Sequence, residues 1–319
     1  MRTRRQWIAA VGLALGMSAA SAQEPPAIRL VVGFPAGDLS DIAARLVADK
    51  MRVSLKRPVV VDNRSGAGGM IAAEAVKAAP ADGTTLMLAP LATMVTFPYT
   101  FDKLRYDPLK DFEPVAMVAT FDLALAVAAD KGPKSVDELV QRARSDKTMG
   151  AYGSPGAGTL PHFFGLLLSE AAKFDYLHIA YRGDAPAKQG LLGGEIGSMV
   201  GPLGSFTELE RSGKVRVLAT SGAMRNPMTP GAPTFKELGI DAVATPWFAM
   251  FAPAKTPRDV IARQAQALQE AVNDPEVKTR LSALGLQASG SGPDELAETM
   301  RREHARWSVV IRKSGFKAN

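Results

Sequence analysis

Two stretches, one in each half of the chain, share a design that limits the possible fold more than any other feature. In the first, Ile28 to Val32 is a short apolar run, Gly33 to Asp38 a Gly/Pro loop, and Ile42 to Lys50 a helical segment whose inward stripe is Ala43, Ala44, Leu46 and Val47. Ser40 or Asp41 is expected to cap that helix. In the second, Met149 to Tyr152 leads through Gly153-Ser154-Pro155-Gly156-Ala157-Gly158-Thr159 into an apolar helix from Phe163 to Ala172. A strand, a Gly/Pro loop and a helix in succession aim free backbone N–H groups, and the positive end of a helix dipole, at whatever lies above the sheet. Each loop is therefore a candidate anion cradle. An ordinary βα turn has the same pattern, so either stretch taken alone leaves both readings open.

The segments between them extend the α/β alternation. Pro58 to Asn63 reads as a second buried strand, Met70 to Ala79 as a helix, and Thr84 to Leu88 as a third strand ending at Ala89-Pro90. Strands joined by helical crossovers form a parallel sheet, and ligands of such sheets sit beyond the strands' carboxyl ends. Gly66-Ala67-Gly68 approaches a dinucleotide fingerprint, yet its sixth position is Ile71 and no acidic residue ends a following strand at the expected distance. No cofactor is expected.

Tyr99 to Phe112 reads as a surface connection, and Val115 to Val118 and Leu123 to Ala128 as strands with a hinge between them. Ser135 is expected to cap a helix reaching about Ala143. The strands His178 to Tyr181, Ile196 to Val200 and Val215 to Thr220, with helices over Lys188 to Leu192 and Phe206 to Arg211, complete a second α/β sheet. Pro233 to Gly239 reads as a short helix stopped by its glycine. Trp247 to Pro253 is apolar on both faces, as a buried strand returning to the first sheet would be. Helices from Pro257, over Val277 to Leu284 and over Glu295 to Lys313 close the chain. The resulting division is residues 23–121 plus 247–319 as one lobe and 122–246 as the other.

The N-terminus has the form of an export signal: basic Arg2, Arg4 and Arg5, an apolar run from Trp7 to Met17, and the small-residue site Ala20-Ser21-Ala22. Residues 1–22 are expected to be removed, and the adjacent arginines leave a Sec or a twin-arginine route open. The formal charge is +6, of which those three arginines supply half, and there is no Cys. Interspersed rather than clustered basic residues argue against a nucleic-acid partner. The lack of Cys excludes disulfides, thiolate metal sites and a Cys nucleophile, and no metal ligand set is legible. Ser154 does not sit in a nucleophile elbow, because Tyr152 occupies the position that motif reserves for glycine. A hydrolase using Ser154 and His162 stands as the alternative to a binding function.

Taken together these residues resemble the Bug-type solute-binding receptors of tripartite tricarboxylate transporters. The resemblance is carried by Val32-Gly33-Phe34-Pro35-Ala36-Gly37 with Asp41, Asp62-Asn63-Arg64-Ser65-Gly66-Ala67-Gly68-Gly69, and Ala81-Asp82-Gly83. It continues in Gly153 to Thr159 with Pro161-His162, Tyr181-Arg182-Gly183, Leu191 to Gly194, Trp247-Phe248 and the tail from Trp307 to Gly315. It implies a two-lobed type II periplasmic binding fold, a monomer in the periplasm, that closes on a small carboxylate: a di- or tricarboxylate, an aromatic acid or an acidic amino acid. Carried over by position, one lobe would offer Phe34, Pro35, Ala36, Gly37, Asp38, Ser40, Asp41 and Ala89. The other would offer Ser154, Gly156, Ala157, Gly158, Thr159, His162, Tyr181, Asp184 and Gly201. The partner implied is a membrane permease; a sensor signalling through another protein is a second possibility. Two positions depart from the family: Asp38 stands where Gly-Gly is usual after Ala36, and Val200-Gly201-Pro202 where an Asp-Asn or Asp-Ser pair is usual after Met199. Asp38 either enters the pocket and favours an amine-bearing acid, or caps the helix.

Overall fold

The computed structural model describes residues 26–240 and 242–318, so the expected signal segment lies outside the described residues. Eleven strands form two sheets. The first contains β1 (Ile28–Val32), β2 (Val59–Asn63), β3 (Thr85–Pro90), β4 (Phe112–Phe121), β10 (Trp247–Pro253) and β11 (Leu286–Ala288), in the order β11-β4-β10-β3-β1-β2. The second contains β5 (Leu123–Ala128), β6 (Ala151–Ser154), β7 (Leu177–Ala180), β8 (Ser198–Pro202) and β9 (Val215–Thr220), in the order β7-β6-β8-β5-β9. Both have a parallel core of three strands with one antiparallel insertion, β10 in the first and β5 in the second. Each inserted strand is reached by a crossing of the chain from the other lobe, β5 across Asp122 alone and β10 after the segment 221–246, so neither sheet is complete without the crossing chain.

Among the described residues there are ten α-helices. They are α1 (Leu39–Ser54), α2 (Met70–Lys77), α3 (Phe97–Thr100), α4 (Val136–Ala143), α5 (Leu160–Ala172), α6 (Asp184–Gly193), and, after α7 (Thr207–Arg211) and α8 (Arg258–Asn273), the pair α9 (Pro275–Ala283) and α10 (Pro293–Ser314). Leu30, Val32, Ala44 and Val47 are fully buried between β1 and α1, which is the apolar stripe read from the sequence. Every residue of β10 is buried, as its two-sided apolar pattern requires.

Several sequence expectations change. β2 is an edge strand paired only with β1, so it is half-buried rather than buried. Pro233 to Gly239 forms turns, with Thr234 bridged to Thr220, instead of a helix. The Tyr99–Phe112 connection is not wholly superficial: Tyr106 and Phe112 are buried edge to face, and the Tyr106 hydroxyl donates to the Thr93 carbonyl at 2.7 Å. A π-helical turn at Ala92–Thr96, invisible to a 3.6-residue period, lies just before that region.

The chain passes between the sheets at Asp122 and again at Thr245-Pro246, and these crossings are laced together. Phe121 N–H donates to the Pro246 carbonyl at 3.0 Å; Ser221 Oγ accepts from Leu123 N–H at 2.8 Å and donates to the Ala244 carbonyl at 2.6 Å. Asp122 is buried, its carboxylate accepting from Asn226 Nδ2 at 2.8 Å, and desolvation raises its pKa against that hydrogen bond.

Candidate functional site

The carboxyl ends of β1, β3, β6 and β8 carry the loops singled out from the sequence. Gly33 to Asp38 forms the first jaw. Gly37 has a φ of 84°, a left-handed conformation natural to glycine, and its N–H donates to Asp41 Oδ2 at 2.8 Å. The cap of α1 is Asp38, not Ser40 or Asp41: its Oδ1 accepts from Ser40 N–H at 3.0 Å and from Ser40 Oγ at 2.8 Å. Asp41 is 2% exposed and its oxygens are both engaged, by Gly37, by Arg45 through Nε and a terminal nitrogen at 2.9 Å, and by Asn63 Nδ2 at 2.8 Å. Burial acts to raise its pKa, but the hydrogen bonds from Arg45, Gly37 and Asn63 outweigh it and hold the carboxyl below its ordinary value. Asp41 is thus the tie between the loop, α1 and β2, while Pro35, Ala36 and Gly37 are exposed at the lip.

The second jaw is built differently. α5 begins with Pro161 near its start, and its first intrahelical bond runs from Phe163 N–H to the Thr159 carbonyl. The N–H groups of Thr159 and Leu160 precede that bond and have no intrahelical acceptor. No side chain caps this helix; Thr159 Oγ1 instead donates to the Gly156 carbonyl at 2.7 Å. Ser154 is fully buried, with Oγ 2.7 Å from His178 Nε2 and 3.0 Å from the Gly156 carbonyl. His162 is buried beneath the loop, its Nδ1 accepting from Gly158 N–H at 3.1 Å and its ring stacked on His178 at 3.8 Å between centroids. Desolvation pushes the His162 pKa down to about 4 and that of His178, with His162 beside it, to about 3. Both imidazoles are neutral near pH 7.

This arrangement does not favour a Ser154/His162 hydrolase. The serine pairs with His178, His162 has its Nδ1 occupied by a backbone donor, and Ser154 Oγ is fully enclosed. A nucleophile needs a base within reach and room for a substrate carbonyl.

The remaining candidates divide. Phe34 packs its ring near Gly69, Thr93 Oγ1 donates to the Gly68 carbonyl at 3.0 Å, and Thr96 Oγ1 donates to the Gly158 carbonyl at 2.8 Å. These contacts chain the first jaw, the glycine loop after β2, the π-helical turn and the second jaw together. Ala89 lies within this group, on β3 opposite Ala249. Gly201 lies two residues beyond Met199, which pairs with Gly153, and itself pairs with Ala124 of β5, near the carboxyl end of β8. A Cβ at Gly201 would lie 3.2 Å from Asp184 Oδ1, a buried oxygen with no hydrogen-bond partner; Oδ2 is 3.0 Å from Lys188 Nζ. Tyr181 packs over Gly190 and beside Gly153, and its hydroxyl donates to Glu195 at 3.2 Å, beyond the far end of α6.

Sequence reasoning missed His178, Thr93, Thr96, Arg45 and Asn63. The β6–β7 register, Tyr152 opposite His178 and Ser154 opposite Ala180, puts His178 and Ser154 on adjoining strands, but pairing of that kind has no trace in sequence order. A hollow of about 510 Å³ lined by Arg144, Glu170 and Lys173 lies elsewhere, at the carboxyl ends of α4 and α5, where the helix dipole disfavours an anion.

Two α/β lobes with matching strand order, each presenting strand carboxyl ends and a βα loop toward a doubly crossed hinge, define the two-lobed periplasmic solute-binding fold. The family description "tripartite tricarboxylate transporter family receptor" matches residues 43–316, and the chain belongs to that family. Protein BugT of Bordetella pertussis is 33% identical over 316 residues, 98% of this chain and 96% of that one. Among solved structures, MatC from Rhodopseudomonas palustris with bound malate is 31% identical with a TM-score of 0.82, covering 90% of this chain and 99% of that one. R. palustris Rpa4515 with adipate is 28% identical with a TM-score of 0.85, covering 92% and 99%.

Proposed function

We propose that this protein is a periplasmic receptor that captures a small organic acid between its lobes and presents it to the membrane permease of a tripartite tricarboxylate transporter. The observation that carries the reading is the uncapped start of α5 within a family of carboxylate receptors: its free N–H groups and dipole suit one carboxylate. Malate and adipate, bound by two relatives, are both dicarboxylates, which supports that substrate class. The lobes divide at Asp122 and at the Thr245-Pro246 crossing, as 26–121 with 247–318 and as 122–246. Residues 1–22 direct export and are removed.

The ligand contacts in this reading come from the Phe34–Gly37 lip, Ala89, the Gly156–Leu160 turn and Asp184 Oδ1. That last atom accepts from a ligand hydroxyl or ammonium, or from a water the ligand orders. Asp41, Ser154 and His162 hold the loops, and Tyr181 packs within its own lobe. Asp38 leaves one carboxylate oxygen outside the cap bonds, so the first jaw repels a second ligand carboxylate more than a bare helix start would.

Isothermal calorimetry on the mature protein against malate, adipate, succinate, glutamate and benzoate tests the reading. Binding of at least one of these acids, in the micromolar range or tighter, is expected. Heats indistinguishable from dilution for all five, with the protein shown folded and free of copurified acid, would refute it.

A further inference from the structure

One residue, Gly158, is held through both of its backbone polar groups, one from each lobe. The Gly158 carbonyl accepts from Thr96 Oγ1 of the first lobe at 2.8 Å, and the Gly158 N–H donates to His162 Nδ1 of the second at 3.1 Å. Thr96 and Thr100 are fully buried and His162 nearly so, so these bonds form in a desolvated seam. A side chain at Gly158 would be strained: its φ is 73°, and a Cβ would crowd Thr100 Oγ1 at 3.3 Å. The π-helical turn places Thr96 there, donating its hydroxyl across the seam. On the other side the His162 ring meets Phe316 of the tail edge-on at 4.3 Å, and the tail is anchored by Ala318 N–H on the Thr100 carbonyl at 2.8 Å.

We infer that Gly158 is an interlobe latch, its carbonyl held across the seam by Thr96 and its N–H oriented from its own lobe by His162, and that this latch holds only while His162 is neutral, so that acidification opens the lobes. The inference rests on the reading of the protein as a receptor that closes. An acceptor nitrogen facing a backbone N–H cannot carry a proton of its own, so protonation of Nδ1 sets two donors against each other. The stacked His178 ring opposes the same charge.

Among the described residues neither ring has an ion pair, and burial is the first cause of both shifts; α3 contributes Tyr99, which bonds His304 of α10 at 3.0 Å and lies under Arg312. β6 and β7 contribute the Tyr152 and Tyr176 phenols and His178; burial shifts the phenols far above their ordinary range and both histidines down. From α5, Glu170 turns to Lys313 of α10; Glu303 of α10 accepts from Trp307; and Lys317 of the tail pairs with Asp102 at 2.8 Å. Opening takes Phe316 off the His162 ring and lessens its burial, so protonation favours the open form and the closed-to-open ratio falls as the pH drops below about 6.5.

The chain has no Cys, so the double variant Ile71→Cys, Leu192→Cys places one label on each lobe at exposed sites. Energy transfer between the labels reads opening without added ligand. Transfer in this parent should change reversibly as the pH falls from about 7 to about 4. Thr96→Val, which keeps the shape and loses the donor, should show the opened value already at neutral pH. His162→Asn, whose amide oxygen replaces the Nδ1 acceptor and does not titrate, should keep the closed value and flatten the pH profile. A Thr96→Val protein indistinguishable from its parent at neutral pH would overturn the latch, as would a parent insensitive to acid or a folded His162→Asn protein that retains the parental profile. If His162→Asn does not fold, Thr96→Val and the parental profile decide. Calorimetry with malate and adipate on the same parent separates the two claims: binding with no latch signature refutes the latch alone, and a latch without binding of any acid refutes the receptor reading alone.

Discussion

At the scale of single residues, the two aspartates of the first jaw have different work despite their proximity. Asp41 is enclosed by three donors, so Asp41→Ala leaves Gly37 N–H, Asn63 and Arg45 without their acceptor. Arg45 can turn to solvent, which limits the loss to about 2–3 kcal/mol, measurable as a shift of the urea midpoint. Asp38 caps α1 through one oxygen and leaves the other outside the cap bonds. Asp38→Asn retains the cap, so stability should change by less than about 0.5 kcal/mol. If the second ligand carboxylate approaches this jaw, removing one like charge should tighten dicarboxylate binding about two- to tenfold at low salt, an effect that shrinks as ionic strength rises. Unchanged calorimetric affinities would reduce Asp38 to a cap and nothing more. That the cap was Asp38 rather than Ser40 was not legible because Asp38, Ser40 and Asp41 all suit the role; the choice follows from the left-handed turn at Gly37, which gives Asp41 to the loop.

At the scale of elements, most strands and helices were legible because their apolar periods are clean: α1, β10 and the Ser135-capped α4 all stand close to where the sequence puts them. What escaped was structure with no regular period. The π-helical turn bears Thr93 and Thr96, and both act through hydroxyls on backbone carbonyls of other loops. The Ser154–His178–His162 cluster escaped for a related reason, since it is assembled across two strands and a helix. It has a consequence for the second lobe. Both histidines have folded-state pKa values below the ordinary one, so the unfolded chain binds more protons as the pH falls below about 6.5. The stability they lend is complete above that value and is lost as the pH falls through about 4 and about 3. Urea unfolding should therefore show a lower midpoint at about pH 5 than at about pH 7, and a flat midpoint over that range would contradict their burial as neutral rings.

At the scale of the whole molecule, the two sheets have the same plan and exchange one strand each, so the hinge is part of both cores rather than a linker. Asp122, Ser221 and the Ala244–Pro246 segment join the crossings with hydrogen bonds that survive a rotation of the lobes only if the pivot passes through them. The sequence showed this division through two apolar runs, 115–118 and 123–128, and a two-sided apolar return at 247–253. It did not show the ligand, because a site made of backbone N–H groups constrains loop shape and helix starts far more than side-chain identity. The central claim is that one carboxylate is held at the start of α5, between the lip at Pro35–Gly37 and the Gly156–Leu160 turn. A crystal structure of the mature protein with malate or adipate bound tests it most directly. The account predicts a carboxylate oxygen within about 3 Å of the Thr159 or Leu160 N–H, with Asp184 Oδ1 hydrogen-bonded to the ligand or to a water it carries; a ligand seated elsewhere, with those N–H groups facing only solvent, would contradict it.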